Sequence, residues 1–98
     1  MPVEMYYAPT KRAQKVSLKE LAEKLQATGL PCKIEPEAEN MFWLVFDGMA
    51  SNMLASVEEG VFVFGTFNFA GEDPTTVPET MERTMQAIGF SADEGDEY

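Results

Sequence analysis

The sequence predicts an α+β domain in which two helices, one near each end of the chain, pack on one face of a four-stranded antiparallel meander. Three observations predict this fold: 98 residues suffice for one core, 45% of them are apolar, and short β-rich runs separate two amphipathic segments. Residues 1–98 form a single predicted domain with a folded core at 17–90. Residues 1–14 are then an N-terminal arm or an extra strand, and residues 91–98 an acidic mobile tail.

The first helix is predicted to begin after Ser17. Ser17-Leu18-Lys19-Glu20 has the pattern of a capping box, in which the serine oxygen accepts from a first-turn amide and the glutamate carboxylate accepts from the amide of the serine. Gly29 is suited to the left-handed conformation that ends a helix, with Leu30 folding back on Leu25. The apolar stripe that would face the core comprises Leu18, Leu21, Ala22 and Leu25.

The second helix repeats these signals. Thr76-Val77-Pro78-Glu79 is again a candidate capping box, with proline in the permissive first turn. Gly89 is predicted to end the helix and Phe90 to pack against Met85. Its apolar stripe comprises Val77, Met81, Met85 and Ile88.

Four strands are predicted between the helices, near residues 32–36, 41–47, 52–58 and 61–69. Glu58-Glu59-Gly60 fits a three-residue hairpin loop, which places Val57 opposite Val61. Because side chains alternate across a strand, this register assigns each residue to a face. The predicted core face holds Cys32, Ile34, Phe42, Leu44, Phe46, Met53, Ala55, Val57, Val61, Val63, Phe67 and Phe69.

The opposite face of the predicted sheet carries more large apolar side chains than solvent exposure explains. They come from three adjacent strands and form a patch on the order of several hundred Å², a size typical of interaction surfaces. Trp43, Phe62 and Phe64 are the predicted anchors, since buried aromatic side chains dominate interface energetics. The predicted protein-binding residues are Met41, Trp43, Val45, Leu54, Phe62 and Phe64.

The N-terminal segment offers a second way to cover this patch. Val3, Met5 and Tyr7 alternate, and Pro9 ends the run. The segment could therefore fold across the patch as a flap or pair as a fifth strand. Self-association or a partner protein is the alternative covering.

Residue types that carry chemistry are scarce. The chain has no histidine and one cysteine, which removes the serine triad, the cysteine–histidine dyad and the usual zinc sites. We therefore expect no enzyme, catalytic residue, metal or cofactor. A small enzyme or ligand binder that uses Cys32, Tyr6, Tyr7 or a carboxylate pair stays open as an alternative.

Charge is unevenly distributed along the chain. Residues 1–33 carry six basic and three acidic groups, a net charge of +3, whereas residues 34–98 carry one basic and fourteen acidic groups, a net charge of −13. Such a field repels phosphate backbones, so direct nucleic-acid binding is not expected. An inhibitor that imitates nucleic acid stays open, with Glu35, Glu37, Glu39, Glu58, Glu59, Glu72, Asp73, Glu79 and Glu82 as its spaced carboxylates.

A cytoplasmic location is the default expectation. No run approaches the ~20 consecutive apolar residues of a membrane span, and residues 1–7 lack the pattern of a secretory signal. A single cysteine fits a reducing compartment. We expect no membrane partner.

The order helix, antiparallel meander, helix over residues 17–90, in a small acidic chain, resembles the type III secretion chaperones and the related YbjN-like domains. The resemblance implies a homodimer that binds another polypeptide on exposed apolar surface. Together with the apolar patch, it favours a non-catalytic, chaperone-like or adaptor module that binds itself or another protein.

Overall fold

The computed structural model describes residues 3–93, which form two α-helices and one antiparallel sheet of six strands. The elements in chain order are β1 (Val3–Pro9), α1 (Leu18–Ala27), β2 (Cys32–Ala38), β3 (Met41–Phe46), β4 (Asn52–Glu58), β5 (Val61–Phe69), α2 (Thr76–Ala87) and β6 (Phe90–Asp93). In the sheet the strands follow the order β2-β3-β4-β5-β1-β6. The predicted α+β class with two helices and an antiparallel sheet is confirmed, but the prediction of four strands is wrong.

The two additional strands come from the ends of the chain. β1 pairs antiparallel with β5, Met5 lying opposite Phe67, and β6 pairs with the other edge of β1. Of the two alternatives for the N-terminal segment, the chain therefore has the extra strand and not the flap. The sheet also extends beyond 17–90 at both ends. Of the predicted acidic tail, residues 91–93 belong to β6, and residues 94–98 lie outside the described residues.

Both predicted signals at the ends of α1 are confirmed. The Glu20 amide donates to Ser17 Oγ at 3.1 Å, and the Ser17 amide donates to Glu20 Oε1 at 2.8 Å. The bond from the Ser17 amide is the main reason that the pKa of the Glu20 carboxyl is lowered, since it favours the ionised form. Gly29 ends the helix with a φ of 103°, and the Leu30 amide donates to the Leu25 carbonyl at 2.8 Å.

The start of α2 differs from the prediction. Thr75 already has helical backbone angles, with φ −68° and ψ −11°, and its side chain forms no capping bond within the described residues. The Val77 amide donates to the Pro74 carbonyl at 3.0 Å, so the first turn begins before Thr76. A capping box needs an extended N-cap residue, and Thr76 already lies inside the helix. The predicted capping box at Thr76 and Glu79 is therefore wrong, whereas Gly89, with a φ of 87°, ends the helix as predicted.

The core lies between the helices and one face of the sheet, which we call the inner face. Leu21 and Leu25 of α1 and Met81 and Met85 of α2 are fully buried in it. The inner face contributes Tyr7, Leu44, Phe46, Met53, Ala55, Val57, Phe62 and Phe67. Both helices and the buried Val16, which precedes α1, thus pack on the same side of the sheet, and the opposite side, the outer face, is left to the strands.

A carboxylate fixes the connection between β3 and β4 against the segment that leads into α2. Asp73 accepts hydrogen bonds from the Ala50 amide at 3.1 Å, the Ser51 amide at 2.8 Å and Ser51 Oγ at 2.5 Å. The hydrogen bond from the Ser51 hydroxyl is the main reason that the pKa of Asp73 is lowered. The Ala70 amide in turn donates to Ser51 Oγ at 2.9 Å, so both loops are held together before α2 begins.

Candidate protein interface

The outer face carries five of the six predicted binding residues. Register and alternation place Met41, Trp43 and Val45 of β3 on this face, together with Leu54 of β4 and Phe64 of β5. Each of these side chains is partly buried, since it packs against neighbours on the sheet and is open above. The structure therefore brings them together on the side of the sheet that faces away from both helices.

One row of side chains crosses five neighbouring strands of this face in register. Its members are Glu35, Trp43, Leu54, Thr66 and Tyr6. Directly paired residues on antiparallel strands have Cβ atoms about 5 Å apart, so the side chains in this row are immediate neighbours. A second row contains Met41, Ser56 and Phe64, so the apolar side chains form one continuous surface.

Trp43 is held in place by a residue of the edge strand. The register of β2 against β3 shifts between Pro36 and Ala38, which leaves Glu37 as the additional residue of a bulge. The indole Nε1 of Trp43 donates to Glu37 Oε1 at 2.8 Å. The N–H group of the indole thereby has a hydrogen-bond acceptor at the edge of the sheet, and the ring is left as apolar surface.

Tyr6 is a member of this face that the sequence analysis did not include. Its ring stacks on Phe64, with the ring centroids 6.4 Å apart and the planes inclined by 21°. Its hydroxyl donates to Glu4 Oε1 at 2.7 Å, which raises the pKa of the tyrosine. The alternation of Met5 and Tyr7 into the core was the signal available, because a strand that buries these two residues must turn Tyr6 to the other side.

Phe62 does not belong to the outer face, and the prediction that placed it there is wrong. The side chain is buried, with 1% exposure, and packs against Phe90 with ring centroids 4.9 Å apart. The hairpin loop accounts for this. It has two residues, Glu59 and Gly60, both with positive φ, and pairs Glu58 with Val61.

A bulge then restores the predicted alternation further along β5. Val57 pairs with Phe62 and Ser56 with Phe64, so Val63 is the extra residue between them. Phe62 therefore points to the inner face while Phe64 still points outward. The same shift contradicts the predicted core positions of Val61 and Val63, which are both partly exposed.

Gly65 is also explained by this register. A Cβ at Gly65 would lie 2.7 Å from Met53 Sδ and 3.0 Å from Phe62 Cζ. Two side chains of the sheet itself fill the space. The glycine therefore makes room for Phe62, whose ring fills the space that a side chain at position 65 would occupy.

The end of the outer face beside Val45 is polar. Asn52 and Asn68 lie opposite each other, and Asn68 Nδ2 donates to Asn52 Oδ1 at 2.8 Å. An open groove follows this end and is lined by Glu4, Trp43, Ala50, Asn52, Asn68 and Ala70. The face thus combines an apolar half with a half that offers amide groups.

The alternative chemical candidates are not assembled into one site. Tyr7 is fully buried in the core and its hydroxyl has no hydrogen-bond partner among the described residues; burial raises its pKa to about 12. Cys32 lies on the inner side of β2, where burial raises the pKa of its thiol to about 11. Within residues 3–93 no group of three or more acidic, cysteine or histidine side chains is placed to hold a metal ion.

The carboxylates considered for nucleic-acid mimicry are likewise separated. Glu79 and Glu82 belong to α2, on the helical side of the sheet, whereas Glu35 and Glu37 belong to the edge strand β2. Asp73 is engaged in hydrogen bonds to the loop before β4.

No protein-family model, curated protein or solved structure matches this chain. The resemblance to type III secretion chaperones and YbjN-like domains therefore stays a prediction. Neither of the helices that the structure describes has the length and hydropathy to cross a membrane.

Proposed function

We propose that this protein is a non-catalytic protein–protein interaction module that binds itself or another polypeptide through the outer face. One observation carries the proposal: the apolar surface formed by Met41, Trp43, Val45, Leu54 and Phe64 is continuous and lies opposite both helices. These side chains are partly exposed, and apolar patches open to solvent are typical of interaction sites. A cytoplasmic location, which fits the single cysteine, is part of the proposal.

The aromatic side chains are the proposed anchors. Trp43, Phe64 and Tyr6 present large, rigid surfaces, and residues of these types contribute most to the binding energy of protein interfaces. Met41, Val45 and Leu54 fill the space between them, and the flexible thioether of methionine adapts to an irregular partner. Because Trp43 and Tyr6 already bond to Glu37 and Glu4, a partner can cover their rings without leaving a buried donor unpaired.

Site-specific photo-crosslinking in the cell tests the proposal. A photoreactive residue at position 54 should give discrete adducts with a second polypeptide or a second copy, whereas the same residue at the exposed position 23 of α1 should not. Trp43→Asp should abolish the adducts from position 54 and leave the circular dichroism spectrum unchanged, because the side chain lies outside the core. Equal adducts from both positions, or adducts that persist in the Trp43→Asp variant, would contradict the proposal.

A further inference from the structure

Carboxylates lie on two opposite sides of the apolar side chains of the outer face. Strands β1 to β5 place Glu4, Glu35 and Glu58 on this face by register, and the hydrogen bond to Trp43 places Glu37 there. Glu35 and Glu37 border Trp43 on one side, and Glu4 borders Tyr6 on the other. The apolar surface is therefore enclosed by negative charge on opposite edges.

Among the described strand residues, Lys33 is the only basic residue that register places on this face, at its polar end. Lys33 lies opposite Val45, in the row next to Trp43. It lines an open groove together with Glu35, Asp47 and Glu72, so carboxylates outnumber it locally. The outer face as a whole thus has a negative potential around its aromatic centre.

We infer that the outer face binds a cationic amphipathic segment of a partner protein, in which apolar side chains lie among lysines or arginines. The inference rests on the proposed function and specifies its partner. The apolar side chains of the segment would cover Trp43, Leu54 and Phe64, and its cations would lie against Glu4, Glu35 and Glu37. These three carboxylates form what we call the rim of the apolar surface. Charge complementarity between the rim and the cations of the partner favours this pairing and speeds association.

The aromatic rings add to the preference for a cationic partner. A guanidinium or ammonium group is attracted to the face of a tryptophan or tyrosine ring. Trp43 and Tyr6 each bond to a carboxylate, so a cation above either ring meets the ring and the carboxylate together. Arginine suits this arrangement best, because its planar group stacks on a ring while it donates to an oxygen.

A second copy of the chain fits this face less well. Two outer faces brought together would oppose two negative rims, and juxtaposed like charges weaken an interface. The net charge of −10 adds repulsion between whole molecules. Lys19 and Lys24, which could relieve it, belong to α1 on the helical side of the sheet.

The emission of Trp43, the single tryptophan, provides a direct test with the intact protein. The probe is a short synthetic peptide of alternating leucine and lysine. Its controls are a leucine–glutamate peptide and a serine–lysine peptide of the same length. The leucine–lysine peptide should shift the emission of Trp43 to shorter wavelength with saturation, and the other two should not.

Charge variants locate the attraction on the rim. Glu4→Gln/Glu35→Gln should weaken binding of the leucine–lysine peptide roughly threefold to tenfold, as expected for two exposed ion pairs. Glu23→Gln/Glu79→Gln removes the same charge from the helical side and should leave binding within about twofold. Salt at about 1 M, which reduces the screening length to about 3 Å, should weaken binding to the wild type more than to the rim variant.

The outcomes separate this inference from the proposed function. Binding of the leucine–glutamate peptide as tightly as the leucine–lysine peptide, or equal loss in both double variants, would overturn the cationic partner. A stable dimer in light scattering that Trp43→Asp dissociates would also overturn it, while supporting the proposed function with a second copy as occupant. Absence of crosslinks from position 54 would contradict both the cationic partner and the proposed function.

Discussion

Phe62 and Phe90 lie ring against ring in the core, with centroids 4.9 Å apart and planes inclined by 30°. The contact joins β5 to β6, two strands that are separated in the sheet by β1. Phe62 reaches this position because the two-residue hairpin loop pairs it with the inward-facing Val57, and the bulge at Val63 then returns Phe64 to the outer face. One extra residue thus divides two neighbouring phenylalanines between the core and the outer face.

This division predicts unequal stability costs for the two phenylalanines. Phe62→Ala should lower the free energy of unfolding by about 3–5 kcal/mol, because it removes a fully buried ring and leaves a cavity. Phe64→Ala should cost under about 1.5 kcal/mol, since the ring is partly exposed. Urea denaturation followed by circular dichroism measures both values. Similar losses for the two variants would contradict the assigned faces.

Asp73 predicts a pH-dependent contribution to stability. Asp73→Ala should cost about 1 kcal/mol near neutral pH, because it removes the acceptor of three hydrogen bonds. The pKa of Asp73 is lowered in the folded protein, so its contribution is present above the unfolded pKa, about 3.9, and is lost as the pH falls through the folded value. The difference between wild type and variant, measured by urea denaturation from pH 7 downward, should therefore shrink below about pH 4.

Glu72→Ala is the matched control for this experiment. The residue is adjacent to Asp73 and exposed, so its removal should change stability by under about 0.5 kcal/mol at any pH in this range. A constant difference between wild type and Asp73→Ala down to pH 2 would show that ionised Asp73 is not what holds the two loops together.

Gly89 and Gly29 end their helices in the same backbone region but differ in their surroundings. Both have positive φ, and a Cβ at Gly29 would meet no atom within 4 Å, whereas one at Gly89 would collide with the backbone of Arg12 and Ala13. The segment after β1 lies tightly there, since the Thr10 amide donates to the Gly89 carbonyl at 2.9 Å. Gly29→Ala should therefore cost about 1–2 kcal/mol for its conformation alone.

Gly89→Ala should cost a further ~1–3 kcal/mol, because backbone atoms must shift to admit the methyl group. Thermal or urea unfolding of the two variants side by side measures the difference. Equal losses in the free energy of unfolding would mean that residues 10–14 shift to admit the methyl group without strain.

Cys32 predicts slow alkylation. With the pKa of its thiol raised to about 11 by burial and by the neighbouring Asp47, the thiolate fraction at about pH 8 is roughly a hundredfold below that of an ordinary cysteine. Iodoacetamide should therefore modify the folded protein slowly, with a rate that rises about tenfold per pH unit up to about pH 10. Urea-unfolded protein is the control and should react at the ordinary rate. Rapid modification of the folded chain at neutral pH would reopen the alternative of a reactive cysteine.

Much of the candidate site could be predicted from local pattern. Met41, Trp43 and Val45 alternate with Phe42, Leu44 and Phe46, and burial of one set requires the other to face away. The two amphipathic helices need one apolar face of the sheet to cover, and the set with Phe42, Leu44 and Phe46 was assigned to that face. Phe62 could not be assigned in this way. Two hairpins are compatible with Phe64 on the outer face: a two-residue loop followed by a bulge, or a three-residue loop without a bulge. Phe62 faces the core in the first and the outer side in the second.

The sequence alone determined the helix signals at Ser17, Gly29 and Gly89, the strands β2 to β5 and the outward position of Trp43, because each depends on contacts within a few residues or on strict alternation. Tertiary structure decided the pairing of β1 with β5 and the addition of β6. These depend on hydrogen bonds between segments far apart in the chain, as between Met5 and Phe67, and on packing such as that of Phe62 against Phe90. The carboxylate rim has the same origin, since Glu4 and Glu35 meet one surface only once five strands lie side by side.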